Sequence, residues 1–261
     1  MSEPYDEDNV LDRLTRRRTL QVHTHHLMRR ERDVLTRALA QPSGDVLSVG
    51  CGWNPGRHLF PAPSWRLVAV DSNPDRVAGV LAERRADEAF VGRAGALELP
   101  ERSFDVVLYR LVLHHIAFQG PLEPCFTEAA RLLRPGGALV AIEPGAWHPV
   151  GIALALANRA GAATTIHGTP DDIPLSPRRL ATAARRAGLD LELHALTYSW
   201  RRLPPRVQRL VHRLDEVGSR PRAAPLGHTL MLIARRPVHP REATPSRAGP
   251  PAALTETRPY G

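Results

Sequence analysis

The sequence predicts an α/β protein built on a doubly wound, mostly parallel seven-stranded sheet, with an antiparallel last strand and a helical N-terminal extension. The first observation is an alternation of short apolar segments with amphipathic helical segments, which starts near residue 45 and is typical of βαβ units. The second is a glycine-rich turn at residues 50–56, directly after the first apolar segment. Open α/β sheets form their ligand crevice at turns of this kind.

The individual elements follow in chain order. Residues 1–40 are predicted to be a helical extension, because two apolar clusters are separated by arginines and the segment Gln-Pro-Ser-Gly at residues 41–44 stops a helix. The parallel strands are predicted near residues 45–49, 66–70, 89–91, 106–109 and 138–142. The helices that accompany them are predicted near residues 74–84, 121–133 and 177–187.

The C-terminal part of the chain has a different pattern. Residues 189–198 and 228–234 are predicted to form an antiparallel strand pair, with a helix at residues 203–217 between them. The apolar stripe of this helix is expected to pack on the domain, with Arg206, Arg209 and Arg213 in solvent. The domain is expected to span residues 41–236, with substrate lid or insertions at residues 145–174 and 199–227 and a disordered, proline-rich tail at residues 237–261.

Composition restricts the chemistry and the partners. All 35 basic residues of the 261-residue chain are arginines, so no lysine amine is present for Schiff-base chemistry. The formal net charge is +8, but nucleic acid is not expected as a partner, because no aromatic residues are interleaved with the basic ones. Two cysteines cannot build a disulfide framework or a cysteine-rich metal site. We therefore predict no metal and expect a reducing, cytoplasmic location.

Membrane contact is expected to be weak at most. No apolar segment is long enough to span a bilayer, and the acidic N-terminus lacks the features of a signal peptide. The predicted helix at residues 203–217 is apolar on one face and basic on the other, which leaves association with a membrane surface open.

The glycine-rich turn predicts a bound nucleoside. Residues 46–49 form an apolar strand, Gly50 and Gly52 follow in the turn, and a helix is expected after it. Asp71 ends the next strand, about 20 residues further on, where a carboxylate can accept hydrogen bonds from both hydroxyls of a ribose. Pro55 occupies the position of the third glycine of a dinucleotide-binding turn, which argues against a dinucleotide.

These motifs resemble those of the class I S-adenosylmethionine-dependent methyltransferases, and in particular the small-molecule, methyltransferase type 11-like branch. The first motif of that family is a strand ending in G-x-G-x-G. Either Asn54 stands at the third glycine, or Trp53-Asn54 is an insertion and Gly56 is the third glycine. The resemblance continues in Leu-Pro at residues 99–100, Ser-Phe-Asp-Val-Val at 103–107, Leu-His-His-Ile at 113–116 and Leu-Leu-Arg-Pro-Gly-Gly at 132–137.

The resemblance implies a Rossmann-like methyltransferase fold and S-adenosyl-L-methionine as the cofactor. The residues expected to contact this cofactor are Gly50, Cys51, Gly52, Asn54, Asp71, Ser72, Ala96, Leu97 and Arg110. In the family an aspartate four residues before the Leu-Pro pair binds the adenine amine, but Gly95 stands there. Adenine is therefore expected to be held by backbone groups and apolar contact.

Two residues are candidates for catalysis. His115 follows the fourth strand at its carboxyl end, and Glu143 ends the fifth strand at the same edge of the sheet. Either could act as a base for a hydroxyl acceptor, although the histidine could instead pack or cap and the glutamate could be a solvated loop residue or a substrate contact. A histidine cluster at His23, His25 and His26 has no carboxylate or cysteine at ligand spacing, so we expect it to lie on a solvated helix face.

The sequence thus predicts methyl transfer to a small-molecule acceptor, with secondary-metabolite, glycan or lipid biosynthesis as candidate pathways. O- or C-methylation is favoured over N-methylation, because Tyr-Arg-Leu-Val at residues 109–112 replaces the Asp/Asn-Pro-Pro-Tyr tetrapeptide of the amide and base N-methylases. Two alternatives stay open. One is a non-catalytic module that only binds the cofactor, and the other is an RNA methyltransferase.

Overall fold

A computed structural model describes residues 18–39, 41–160, 174–217 and 222–238. The strands are β1 Gly44–Val49, β2 Trp65–Asp71, β3 Glu88–Val91, β4 Phe104–Arg110, β5 Leu133–Pro144, β6 Asp190–Thr197 and β7 Thr229–Arg235. The helices are α1 Arg18–Ala38, α2 Pro74–Ala82, α3 Leu113–Gln119, α4 Glu123–Leu132, α5 Pro149–Arg159, α6 Pro177–Arg186 and α7 Pro205–Val217, with a 3₁₀ turn at Ala224–Leu226.

The seven strands form one sheet in the order β3-β2-β1-β4-β5-β7-β6. Strands β1 to β5 pair in parallel, whereas β7 lies between β5 and β6 and is antiparallel to both. The predicted mixed sheet with an antiparallel last strand is confirmed. Because the chain reverses its direction of winding between β1 and β4, the crevice for a ligand lies at the carboxyl ends of these two strands.

Each face of the sheet has its own core, because alternate residues of a strand point to opposite sides. Leu47 and Val49 of β1 belong to one core, which α4 and α6 cover. Val46 belongs to the other, which receives Val34 and Leu35 of α1. Both α1 side chains are at most 5% exposed, so α1 is an integral part of the domain core.

The helix expected directly after the glycine-rich turn is absent, and that prediction is wrong. Residues 50–64 form turns only. One helical turn starts at Gly56, whose carbonyl accepts hydrogen bonds from the amides of Leu59 and Phe60, but Pro61 follows and has no N–H with which to continue it. The side chains of Leu59 and Phe60 join the α1 core instead.

Two further helices differ from the prediction. The helix expected at residues 121–133 is preceded by a separate helix, α3, which Gly120 terminates. Helix α5 lies in the segment predicted as a lid, part of which, at residues 161–173, lies outside the described residues. The proposed tail is also outside them, apart from residues 237 and 238.

Helix α7 turns its polar side inward, contrary to the prediction. Its buried side chains are Gln208, His212 and Asp215, whereas the apolar side chains of Val207, Leu210 and Leu214 are 42%, 60% and 58% exposed. The periodicity identified the helix correctly but did not identify which face is buried. The polar face is buried because it finds hydrogen-bond partners on α1 and β6.

The histidines of α1 divide between the surface and the interior. His25 is exposed, as expected, but His23 and His26 are only 6% and 5% exposed because they face α7. The prediction of a solvated histidine face is therefore wrong for these two residues. Among the residues with described coordinates, no helix combines the length and the apolar character that crossing a membrane requires.

Candidate active site

The glycine-rich turn places three glycines in left-handed backbone. Their φ angles are +64° at Gly50, +54° at Gly52 and +89° at Gly56, and Asn54 is not left-handed. A Cβ on Gly56 would lie 2.7 Å from the Leu108 side chain, so this position needs glycine both for its φ and for its close packing. Asn54 instead accepts a hydrogen bond from the Gly56 amide at 3.2 Å. Gly56 therefore has the backbone that requires a third glycine, which favours Trp53 and Asn54 as an insertion before it.

Asp71 connects the end of β2 to this turn. Its Oδ2 accepts a hydrogen bond from the Gly52 amide at 2.8 Å, and its Oδ1 accepts one from the Asn73 amide at 2.9 Å. The side chain is buried, with the Arg76 guanidinium 3.7 Å away. Since each carboxylate oxygen has two acceptor sites, both oxygens keep capacity for a ribose hydroxyl.

The remaining predicted residues of the turn differ in exposure. Cys51 is buried and its thiol donates to the Gly52 carbonyl at 3.4 Å. Burial, with the nearby Asp71 carboxylate, raises the pKa of this thiol to about 12, so it is not a nucleophile at neutral pH. Ser72 is exposed beside Asp71. A Cβ on Gly52 would meet no atom within 4 Å, so there is open space beside the turn for a ligand.

The loop after β3 is held by α4, which the sequence reasoning missed. The Glu128 carboxylate accepts hydrogen bonds from the amides of Gly95, at 2.8 Å, and Leu97. Arg131 donates to the carbonyls of Leu97 and Leu99 at 2.9 and 2.8 Å. The only sequence signal was a pair of charged residues on a helix whose other residues are mainly apolar.

These contacts change the expectation for adenine. The amide of Ala96 donates to the Arg93 carbonyl, so the N–H groups of Gly95, Ala96 and Leu97 are all used within the protein. The amides are therefore not available to adenine, which leaves backbone carbonyls and apolar contact with Ala96 and Leu97. An open cavity of about 580 Å³ lies between this loop and α4, bordered by Ala96 and Leu97.

Arg110, at the end of β4, faces α1. Its guanidinium lies 3.3 Å from Oε1 of Glu31, whose other oxygen is 3.1 Å from Nε2 of His58. Burial alone would raise the pKa of Glu31, but the charge of Arg110 and the hydrogen bond with His58 together lower it below its usual value. The structure thus joins Arg110 to α1, and its predicted contact with the cofactor stays a prediction.

Glu31 is expected to make the stability of the protein depend on pH in the acid range. Because its pKa is lowered on folding, its contribution is present above the unfolded pKa of about 4.3 and is lost as the pH falls through the folded value. Replacing Glu31 by Gln should lower the free energy of unfolding by about 2 kcal/mol at pH 7, since a charged hydrogen-bond acceptor is lost.

The measurement is urea denaturation of wild type and Glu31→Gln between pH 7 and pH 3. The difference in the free energy of unfolding between wild type and Glu31→Gln should be constant above about pH 5 and shrink at lower pH. Asp33→Asn, an exposed change on the same helix, serves as the control. A difference that grows on acidification would contradict the assignment.

Glu143 organises the turn between β4 and α3. Its Oε1 accepts hydrogen bonds from the amides of Val112 at 3.0 Å and Leu113 at 2.7 Å, and its Oε2 is 2.6 Å from Nδ1 of His114. The carboxylate is fully buried. Val112 in turn packs against Gly50, where a Cβ would lie 2.3 Å from it. Glu143 therefore supports the glycine-rich turn through α3.

His115 is the more accessible of the two catalytic candidates. It lies in the first turn of α3 and is half-buried, with its ring centroid 4.0 Å from that of His114. Leu111, four residues before His115, has a left-handed backbone with φ +56°, which is uncommon for a bulky residue. Strained backbone of this kind concentrates at functional sites.

Comparison of the sequence with known proteins agrees with this geometry. Residues 47–141 match the family model described as a methyltransferase domain. A probable S-adenosylmethionine-dependent methyltransferase of Mycolicibacterium smegmatis is 32% identical over 145 residues, which are 53% of this chain and 55% of the relative. The chain thus spans about half the length of this curated relative.

Solved structures share the fold. A methyltransferase of Thermotoga maritima, described as a possible histamine N-methyltransferase, superimposes with a TM-score of 0.57 at 17% identity, covering 84% of this chain and 93% of the other. Phosphoethanolamine N-methyltransferase 2 of Haemonchus contortus, solved with S-adenosyl-L-methionine, gives 0.51 at 16% identity, covering 79% and 52%. Residues 47–141 thus match a methyltransferase domain by sequence, and the chain shares the fold of these solved methyltransferases.

Proposed function

We propose that the protein binds S-adenosylmethionine at the carboxyl ends of β1, β2 and β4 and transfers its methyl group to a small-molecule acceptor. The observation that carries this proposal is the hydrogen bond from the Gly52 amide to Asp71, which places an open glycine turn beside a buried carboxylate. The cofactor supplies an electrophilic methyl group on a sulfonium sulfur. Asp71 would accept the ribose hydroxyls, and the turn would approach the rest of the molecule through its backbone.

The contacts divide the two catalytic candidates into different roles. Glu143 is fully buried and already accepts three hydrogen bonds, which favours positioning of α3 over proton transfer. His115 is half-buried at the same edge and is the better candidate to take the proton of a hydroxyl acceptor. Alignment of acceptor and methyl group supplies the larger part of the acceleration in such a displacement. Because His115 could take up a proton from the acceptor, we favour O- or C-methylation.

The test has two steps. Calorimetry with S-adenosylmethionine and its demethylated product should show binding of both. A panel of phenols, carboxylic acids, glycans and lipid-linked acceptors is then incubated with methyl-labelled cofactor, and label should appear in a small molecule. Absence of heat with both compounds would refute the proposal that the protein binds S-adenosylmethionine. Cofactor binding without turnover over the whole panel would favour a non-catalytic module that only binds the cofactor. Label in RNA would favour an RNA methyltransferase.

The outward face of α7 is expected to bring the enzyme to anionic membranes. Its exposed leucines and valine stand among three exposed arginines, Arg206, Arg209 and Arg213. Basic helices with an exposed apolar face bind at the lipid headgroup level, which suits an acceptor attached to lipid. Leu210→Glu should reduce binding to phosphatidylglycerol vesicles at least about tenfold, because one buried leucine contributes about 2 kcal/mol.

The measurement is co-sedimentation with vesicles, compared with phosphatidylcholine vesicles of the same size. Leu81→Glu, a change at another exposed leucine, on α2, is the control and should leave binding unchanged. Equal binding of wild type and Leu210→Glu would show that α7 does not contact the membrane.

A further inference from the structure

A buried cluster joins α1, α7 and the end of β6. His26, His212 and Asp215 are 5%, 8% and 1% exposed. His26 Nε2 lies 2.7 Å from Asp215 Oδ2, and the rings of His26 and His212 stack with centroids 3.7 Å apart and planes tilted by 6°. One nitrogen or carboxylate oxygen from each residue lies within 4.8 Å of the others. Three donor groups of metal-binding type therefore converge in the interior.

His212 is the member whose polar atoms are not accounted for. Its Nε2 is buried and has no hydrogen-bond partner among the described residues. Buried polar atoms are nearly always paired in native proteins, so such an atom requires an explanation.

We propose that His26, His212 and Asp215 bind a Zn²⁺ ion. Two imidazoles and one carboxylate form a donor set that zinc takes in three-ligand sites, where water completes the coordination. His212 and Asp215 are three residues apart on α7 and so lie on one helix face. The ion would join that face to α1. No sequence motif indicated it, because His26 and Asp215 are 189 positions apart.

The surroundings of Asp215 resemble the outer shell of a metal site. The Thr197 hydroxyl donates to Oδ2 at 2.7 Å, and the Tyr198 amide donates to Oδ1 at 2.8 Å. Such partners fix the orientation of a ligand carboxylate. They come from the end of β6, so the ligand is held by the sheet and not by α7 alone.

Binding requires a rearrangement of the two rings as well as of the ion pair. A metal ion lies near the plane of each imidazole that binds it, so the stacked rings of His26 and His212 must turn out of their parallel arrangement. Ligand distances of about 2.0–2.2 Å from zinc place two tetrahedral ligands roughly 3.3 Å apart, so the pair of His26 and Asp215 must open by about half an ångström. Because a carboxylate only accepts, His26 Nε2 carries the proton, which moves to Nδ1 when Nε2 binds the metal. The Arg29 guanidinium, 3.2 Å from Nδ1, must then move away, and it is exposed and able to do so.

The proposed zinc site lies at the same edge of the sheet as Glu143 and His115. A third buried imidazole, that of His23, has its ring centroid 6.2 Å from those of both His212 and His228. His228 is in turn 5.0 Å from His148, in the loop that follows β5. A zinc ion would thus fix α1 and α7 at the edge of the sheet where Glu143 and His115 lie.

The test is zinc binding to the full chain, freed of any affinity tag and of metal with a chelator. Competition with a chromophoric chelator gives the stoichiometry and affinity, and Co²⁺ gives a visible spectrum that reports four-coordinate geometry. We expect one ion per chain, and at least about 100-fold weaker binding for His212→Gln and Asp215→Asn. His25→Gln, an exposed histidine on the same helix, is the control and should bind as wild type does.

Far-UV circular dichroism and calorimetry with S-adenosylmethionine show whether each variant is folded. Zinc should also raise the melting temperature of wild type and of His25→Gln. The proposal would be overturned if wild type bound no zinc at micromolar concentration. It would also be overturned if His25→Gln and His212→Gln lost zinc affinity to the same extent. If the variants do not fold, a wild-type Co²⁺ spectrum without four-coordinate intensity overturns it as well.

Discussion

Asp71→Asn is expected to lower the affinity of the protein for S-adenosylmethionine at least about 100-fold. In our proposal this carboxylate accepts hydrogen bonds from two ribose hydroxyls, and each hydrogen bond to a charged group contributes about 1.5–3 kcal/mol. A loss of about 2.7 kcal/mol already corresponds to a factor of 100. Asparagine has one acceptor oxygen, so it cannot serve the ribose while also accepting from the amides of Gly52 and Asn73.

Calorimetry with the cofactor and with its demethylated product measures this loss. Asp75→Asn is the matched control, since Asp75 is an exposed aspartate nearby, in the first turn of α2. Circular dichroism of both variants confirms that the sheet is intact. Affinity that remains within threefold of wild type in Asp71→Asn would remove the main support for the proposed binding site.

Glu143→Ala is expected to lower the free energy of unfolding by about 3–5 kcal/mol. The change leaves three buried donors without their acceptor: two backbone amides and His114. For a domain of this size the melting temperature should fall by roughly 10 °C. The turn that holds Val112 against Gly50 should loosen too, so the variant should also bind the cofactor more weakly.

Glu143→Gln separates a positioning role from proton transfer. Its amide oxygen can still accept from Val112 and Leu113, and its NH₂ group can donate to the other tautomer of His114. If Glu143 positions α3, this variant keeps cofactor binding and turnover within about tenfold of wild type. If Glu143 is the base, turnover is abolished while binding is kept. Glu123→Ala, whose side chain is in an exposed pair with Arg186, should change stability by less than about 1 kcal/mol.

Local pattern was sufficient for the sheet and for placing the glycine-rich turn beside a buried carboxylate. The inner parallel strands β1, β2 and β4 are short, mainly apolar runs, because both of their faces are largely buried, and such runs can be recognised within a few residues. The turn at Gly50 and Gly52 and the acid at Asp71 were found for the same reason. Each of them ends a recognisable strand.

What could not be predicted depends on pairs of residues that are far apart in the chain. Glu31 meets Arg110, and Glu128 meets the loop after β3, only because the sheet order brings α1 and α4 to those places. The inward face of α7 is another case, because an apolar stripe predicts burial only when no polar partner competes for the other face. Asp215 has such partners in His26 and Thr197.

The chain that leaves the glycine-rich turn forms a single turn of helix before Pro61, and this changes the electrostatics of the crevice. A long helix would direct the positive end of its macrodipole at the ligand, equivalent to about half a charge. Without that field, an anionic group beside Gly50 and Gly52 gains only from individual N–H groups and from side-chain charges. On our proposal, the turn would therefore favour a zwitterionic amino-acid group over a phosphate.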